Sequence, residues 1–274
     1  MARVMKKTLV VICACLLAMV SVGHADVVLV ENDFDGSAST GPAFQFLSNN
    51  SGAAAVQGSG DPSTGEASST SFNTSSVGFN NVSTVDVAAV PGSAGFTVEW
   101  VIDSVVNSDN IEFNGFFLGV VSGASATGSG AGSLFNNNPA AIGVRLLNGD
   151  FQFVEDPETG GAQNSTPLSQ TSPTTATLED GFTVTFTVNQ DDTWTASSSG
   201  LSTDFSANGM LVGVTTNYAS IADDLGANVS IQGNDIDLSV GSVSLTAVSI
   251  VPEPSSIWVV GLGAIALLQR RNRR

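Results

Sequence analysis

Carboxylates are the only ionisable chemistry that most of this chain can offer. No histidine, cysteine or lysine lies between Asp26 and Ser249, because His24, Cys13, Cys15, Lys6 and Lys7 all precede that stretch. It therefore has no means of building a Ser-His-Asp triad, a Cys-His pair, a Schiff-base lysine or a histidine-bound zinc site. The adjacent acids Glu155-Asp156 and Glu179-Asp180 sit beside turns, where solvated turn formers outnumber catalysts. Three groups gather the hard oxygen donors that calcium takes: Asn32-Asp33-Asp35, Asp223-Asp224 and Asn234-Asp235-Asp237. None has the spacing of an EF-hand loop, and turn chemistry is the plain alternative for each. Asp35 and Asp235 are the first residues to test as metal ligands, and the residues call for no cofactor other than calcium.

Sugar binding would want an aromatic platform beside amides and carboxylates. Trp100 shares a strand face with Phe96 and Val98, which points to core packing. Trp194 stands between Thr193 and Thr195, and its face is open. Tyr218 is the only tyrosine, and nothing around it assigns a role.

Charge narrows the partners further. Between Asp26 and Ser249 a single base, Arg145, stands against 24 acids, a formal charge of −23. Such a surface repels nucleic acid and anionic headgroups, so a role on DNA or RNA is excluded.

The elements that must position these residues are strands. Phe96, Val98, Trp100 and Ile102 alternate on one face, and so do Phe182, Val184, Phe186 and Val188 against Thr183, Thr185 and Thr187. A turn over 189–192 leads from the second run into Trp194, which predicts a hairpin. A second hairpin joins 142–147 to 151–154 through Asn148-Gly149, a pair that supplies the positive φ such turns want. Near the end Ile236, Leu238 and Val240 alternate, Gly241 marks a bulge, and Val243, Leu245 and Ala247 resume. Further strands are expected over 27–30, 85–90, 113–121 and 210–214. Gly/Ser/Thr/Asn-rich connections fill 48–76, 122–132 and 160–177, and no repeat of fixed period occurs. Many short strands with one apolar face each predict an all-β, two-sheet antiparallel sandwich over 26–249. A jelly roll is preferred to an immunoglobulin-type sandwich, since about 224 residues is twice the ~100 of the latter. A stretch of that length buries a core without disulfides.

The two ends carry addresses. Arg3, Lys6 and Lys7 precede an apolar run over 8–22, and Gly23-His24-Ala25 offers small residues for cleavage, so residues 1–25 read as a signal helix cut between Ala25 and Asp26. A first transmembrane helix and a lipoprotein signal through Cys13 or Cys15 are the weaker alternatives. At the other end, Val251-Pro252-Glu253-Pro254-Ser255 stops any strand or helix. An apolar segment over 257–268 follows, about 18 Å long as a helix and marginal for crossing a bilayer. Arg270, Arg271, Arg273 and Arg274 then mark a cytoplasmic side.

The order of motif, apolar helix and basic cluster over 250–274 resembles the PEP-CTERM sorting signal. That resemblance implies a substrate of an exosortase, a membrane-embedded transpeptidase-like enzyme. Residues 251–255 would be its recognition site, the inner membrane a transient anchor, and the cell surface or extracellular matrix the destination. The export translocase and signal peptidase would act first, at the other end. More loosely, Asp33-Phe34-Asp35-Gly36, the 182–188/Trp194 hairpin and the closing run 242–246 resemble concanavalin A-like (laminin-G-like) lectin/glucanase sandwiches. Glucanases of that group use a Glu-x-Asp-x-x-Glu strand, a spacing that does not occur here. The leading expectation is a non-enzymatic surface protein that adheres or binds extracellular polysaccharide. The alternative is a carboxylate-dependent glycan hydrolase or lyase.

Overall fold

The computed structural model describes residues 26–34, 39–48, 54–57, 67–71, 76–81, 83–106, 111–123, 140–147, 150–156, 164–168, 178–212, 217–233 and 236–249. Asp26–Val248 is one compact unit, built from two sheets. The first runs β14 (Ser206–Met210), β13 (Thr193–Ser199), β12 (Phe182–Asn189), β7 (Ser93–Val106), β16 (Ile236–Ser249), β1 (Val27–Asn32) and β2 (Ser39–Thr40). In this sheet β1 pairs with the second half of β16, and β5 (Ala67–Ser71) with the first half, β4 (Ala54–Gln57) lying beyond β5. The second sheet runs β11 (Asn164–Pro167), β10 (Asp150–Asp156), β9 (Ala141–Leu147), β8 (Ile111–Ser122), β15 (Leu225–Gly233), β6 (Ser76–Asn81) and β3 (Phe44–Ser48). The pairings with a defined register are antiparallel, which makes the molecule the expected two-sheet sandwich.

Alternation sets the core. Phe96, Val98, Trp100 and Ile102 of β7 are buried, as are Phe182, Val184, Phe186 and Val188 of the neighbouring β12. From the facing sheet come Phe116, Leu118, Ile142, Val144, Phe151 and Phe153. The layers meet through aromatic edges: Phe116 on Phe182 at 6.1 Å, Phe151 on Phe182 at 6.0 Å, Phe153 on Phe186 at 6.1 Å. Edge-to-face contacts of this kind add about 0.5–1.5 kcal/mol each beyond the area they bury. Along β16 the buried set is 236, 238, 240 and then 243, 245, 247, so the phase slips at the expected Gly241. A Cβ there would come within 2.4 Å of Asp103 Oδ1, so a larger residue would have to displace that exposed carboxylate.

The second sheet is buried on its outer face as well, where Phe117, Val121, Ala141 and Val154 form a separate apolar cluster. This explains why β8 reads as the unbroken run Phe116-Phe117-Leu118-Gly119-Val120-Val121 instead of alternating.

Two expected strands are corrected. Residues 85–90 form turns, with only the isolated bridge Val85↔Leu225. The Asp86 carboxylate accepts from Ala89 N at 2.8 Å, and Val90 N donates to Val87 O at 3.1 Å, bonds that curl the chain before Pro91. The strand expected at 210–214 is met at Met210, the end of Ser206–Met210, but Val212 N leaves the ladder to meet a carboxylate from the other sheet, and residues 213 and 214 lie outside the described residues. One helical turn, α1 (Tyr218–Ile221), is closed by a capping box between Asn217 and Ser220. No helix among the described residues is long and apolar enough to cross a membrane. The expected signal and anchor helices lie outside the described residues, as does the Asn148-Gly149 turn, although its strands pair in the register such a turn gives.

Candidate functional site

At one end of the sandwich the carboxylates of Glu155 on β10 and Asp192 in the β12–β13 turn act on one another and hold the backbone of Val212 and Tyr218. Along β10, Phe151, Phe153 and Glu155 share the inward face, so the alternation carries an acid to the rim of the core. Glu155 is only 5% exposed, and its Oε2 accepts from Val212 N at 2.8 Å. Asp192 occupies the turn with φ 65°, a conformation Asp tolerates better than most residues. That geometry lets Asp192 serve twice: its backbone carbonyl accepts from Leu211 N, and its Oδ1 accepts from Tyr218 N at 2.8 Å. Beside it, Asp191 Oδ1 accepts from both Thr193 N (3.1 Å) and Thr193 Oγ1 (2.6 Å), bonds that hold its carboxyl below the ordinary range.

Glu155 is displaced the other way. Burial raises its pKa above the ordinary 4.5, the nearby Asp192 charge adds to the rise, and the Val212 N–H opposes it. A carboxyl whose pKa is higher folded than unfolded favours the folded state in acid. That contribution disappears as pH rises through the folded pKa, so ionised Glu155 is a burden at neutral pH. Glu155→Gln keeps an oxygen for Val212 N–H and removes the charge. Its urea midpoint is expected above the parent's at pH 7 and level with it near pH 4. A variant weaker at pH 7 yet level near pH 4 would instead show that the ionised form is stabilising.

Of the expected metal clusters, Asn32 and Asp224 make local structural hydrogen bonds. Asn32 is buried, and its Oδ1 accepts from Phe34 N at 2.8 Å, an Asx turn that supports the positive φ of Phe34. Asp224 accepts from Thr84 Oγ1, while Asp223 is exposed. Asn32 pairs with Val243, six residues along β16 from Asp237, about 20 Å at strand rise, so Asn32 and Asp237 do not meet. No group of three or more His, Cys, Asp or Glu side chains able to hold a metal occurs among the described residues. Asp35 and Asp235 themselves lie outside the described residues.

Both tryptophans of the sandwich are core residues. Trp100 meets Phe44 edge-on at 6.2 Å, and Trp194 stacks on Phe153 at 4.0 Å and 12°. Neither offers a sugar platform. Tyr218 is buried against Phe96, its hydroxyl 3.3 Å from Ser93 Oγ. The lone base, Arg145, is buried on the outer face of the second sheet and donates to Gln152 Oε1 at 3.2 Å. What the surface does offer is hydroxyls. On the outer face of the first sheet, Thr97 and Thr187 bond at 2.8 Å, Thr185 donates to Glu99 Oε2 at 3.2 Å, and Thr195 and Ser197 continue the rows on β13.

Glu155 is the site residue that the sequence hid. Ending the strand at Val154 leaves Glu155 looking like a turn acid, and one more step of the alternation would have turned it inward. At the ends, Asp26 is described and exposed, whereas Ala25, Val251, Pro252, Glu253, Pro254, Ser255, Arg270, Arg271, Arg273 and Arg274 lie outside the described residues.

Comparison with known proteins bears on both parts of the chain. Residues 251–274 match the PEP-CTERM protein-sorting motif. The sandwich is similar to arcelin-5, a lectin-like defense protein from Phaseolus vulgaris, at 10% identity and a TM-score of 0.52, covering 76% of this chain and 94% of that one. It is also similar to peanut lectin, solved with a nine-residue peptide, at 12% identity and a TM-score of 0.50, covering 81% and 99%. These likenesses establish a legume lectin-like, concanavalin A-like sandwich fold. No curated protein matches the sequence.

Proposed function

We propose that this chain is an exported surface protein, processed by an exosortase-type enzyme, whose sandwich binds extracellular polysaccharide without turning it over. The observation that carries the reading is the sorting motif at 251–274, which follows a lectin-like sandwich directly. In this reading residues 1–25 engage the export translocase, and signal peptidase cuts between Ala25 and Asp26. The segment 257–268 holds the precursor in the inner membrane with Arg270, Arg271, Arg273 and Arg274 on the cytoplasmic side. Processing near Val251–Ser255 then releases residues 26–249, as one domain, to the cell surface or matrix. The way the chain passes between sheets, from β7 to β8 and again from β14 to β15 to β16, supports a jelly roll.

The hydroxyl and carboxylate rows of Thr97, Glu99, Thr185 and Thr187 are the polar surface best suited to a sugar, since both sandwich tryptophans are buried. Retention on an immobilised acidic-to-neutral polysaccharide panel tests this. Binding that weakens at least tenfold in Glu99→Gln/Thr185→Val, with no reducing ends released, is the expected result. The same columns run with a chelator test calcium at Asp35 and Asp235, with loss of retention favouring it. One observation supports a second reading, glycan hydrolysis: Glu155, with its raised pKa, beside Asp192 has the make-up of an acid and its partner. Its burial and its bond to Val212 N–H argue against access to a glycosidic oxygen. Reducing ends that appear with the parent and vanish in Glu155→Gln would displace the binding reading.

A further inference from the structure

The last strand of the sandwich ends beside the start of the first. β1 and β16 pair antiparallel, with Val27 opposite Ala247 and Val28 opposite Thr246. β16 stops at Ser249, two residues before the sorting motif begins at Val251. Paired Cα atoms lie about 4.5–5.5 Å apart, and the four steps from Ala247 to Val251 reach at most about 14 Å. Val251 therefore lies within roughly 20 Å of Val27 whatever path the chain takes between them. An enzyme with the roughly 800 Å² footprint of an ordinary protein contact, about 30 Å across, would overlie this end of β1 while gripping 251–255.

What it would meet there is apolar. Val27 and Val28 are 40% and 42% exposed, and they are the two exposed large apolar side chains that stand beside the C-terminal end of β16. A bulge sets Val28 in place. The register slips between Val28 and Val30, so Leu29 and Val30 together oppose Leu245, and both pack on the core. Unbroken alternation from buried Val30 would turn Val28 inward. The bulge turns it instead onto the outer face beside half-buried Thr246, the kind of re-aiming found at sheet margins next to functional sites. β2 pairs only with Glu31 and Asn32, so no described strand lies over Val27 or Val28. Thr246 and Val248 add no charge, and Asp26 and Glu31 mark the limits of the patch.

We propose that Val27 and Val28 are a docking contact for the enzyme that processes residues 251–255. The inference rests on the exosortase reading above and extends what that enzyme recognises. It takes hold of the Pro-Glu-Pro segment and, at a fixed distance from it, the folded end of a sheet. That distance is fixed only when the first strand has paired with the last, so the contact favours release of folded bodies over unfolded ones. The enzyme is the occupant because the patch is placed by the strand that leads into its substrate. Two half-exposed valines are too little apolar area to hold a body of formal charge −23 on an anionic bilayer.

The test follows processing of the full chain in detergent-solubilised host membranes at varied chain concentration. Intact mass separates loss of 251–274 from retention of residues 1–25. Val27→Ser/Val28→Ser is expected to raise the half-saturating concentration at least fivefold, with an unchanged maximal rate and far-ultraviolet spectrum. Val27→Ile/Val28→Ile should restore parental values, and Met210→Ser, five strands away across the sheet, should match the parent. A peptide of residues 249–274, which lacks the strand pair, should show the raised value of the serine variant. Parental kinetics in the serine variant, an equal loss in Met210→Ser, or a loss of maximal rate alone would each overturn the proposal. So would a defect seen in intact vesicles that disappears in detergent, because the bilayer would then be what the valines touch. All four outcomes leave the exosortase reading standing. If Pro252→Ala/Pro254→Ala is processed as fast as the parent, that reading fails and the docking contact falls with it.

Discussion

Trp194→Ala is expected to lower the stability of the sandwich by about 3–5 kcal/mol, a large share of the roughly 5–15 kcal/mol that holds a typical domain together. The reason is where the ring sits. Trp194 lies on β13 with its indole over Gly209 of β14, where a Cβ would come within 2.7 Å of Cζ2, and its face stacks on Phe153 of the opposite sheet at 4.0 Å. The ring thus fills the whole gap between the layers near the edge of the first sheet, and alanine leaves a cavity that two stiff sheets cannot close. Gly209 is required by the same arrangement, so the two positions should couple. Gly209→Ala is expected to destabilise the parent, because the indole cannot retreat through Phe153. In the Trp194→Ala background it should cost far less. A double-mutant cycle from urea midpoints would then give a coupling of about 1–3 kcal/mol, and simple additivity would show that the ring does not rest on Gly209. Trp194→Phe should be milder. It keeps an aromatic against Phe153 and removes an indole N–H that is buried without a hydrogen-bond partner among the described residues.

This pair also shows how far the sequence could be read. The β7, β12 and β16 faces were legible because each presents several large apolar residues at period two, and the structure buries those side chains. The face of Trp194 was not legible from its own neighbours, since Thr193 and Thr195 fit either side of a hairpin. It is fixed by the turn. Asn189–Asp192 brings Val188 opposite Trp194, and Val188 is already committed to the core by β12. Phase is passed from strand to strand through turn length, which local windows do not see. Residues 85–90 failed for the opposite reason: five apolar residues suggest a strand, but one Asp86 side chain competing for Ala89 N–H curls the segment. The alternation of β10, carried one step further, turns Glu155 inward, but no pattern within β10 announces its partner Val212, 57 residues away. Burial of the second sheet on both faces departs from the one apolar face expected of each strand, and the unbroken apolar run of β8 is its trace in the sequence.

Processing gives the second large effect. Replacing both Pro252 and Pro254 with alanine is expected to cut the processed, surface-released form by more than tenfold, with the full-length precursor accumulating in the membrane fraction. The argument rests on what two prolines one residue apart impose. Each lacks an N–H and fixes its own φ, and each biases the preceding residue, Val251 or Glu253, toward extended backbone. On the proposed reading, residues 251–254 are expected not to prolong β16, which ends at Ser249, and to present an extended peptide to the processing enzyme. Alanine at both positions restores two donors and lets the segment continue either a strand or the following apolar run, which removes that presentation. Fractionation with intact-mass measurement reads the outcome directly, because release near the motif removes most of residues 251–274. Deleting Arg270–Arg274 should act at an earlier step, through lost membrane orientation. The two variants should then differ in where the precursor is found while sharing a normally folded sandwich. Unchanged release in the double proline variant would show that the motif is dispensable, and the exosortase reading would fall with it.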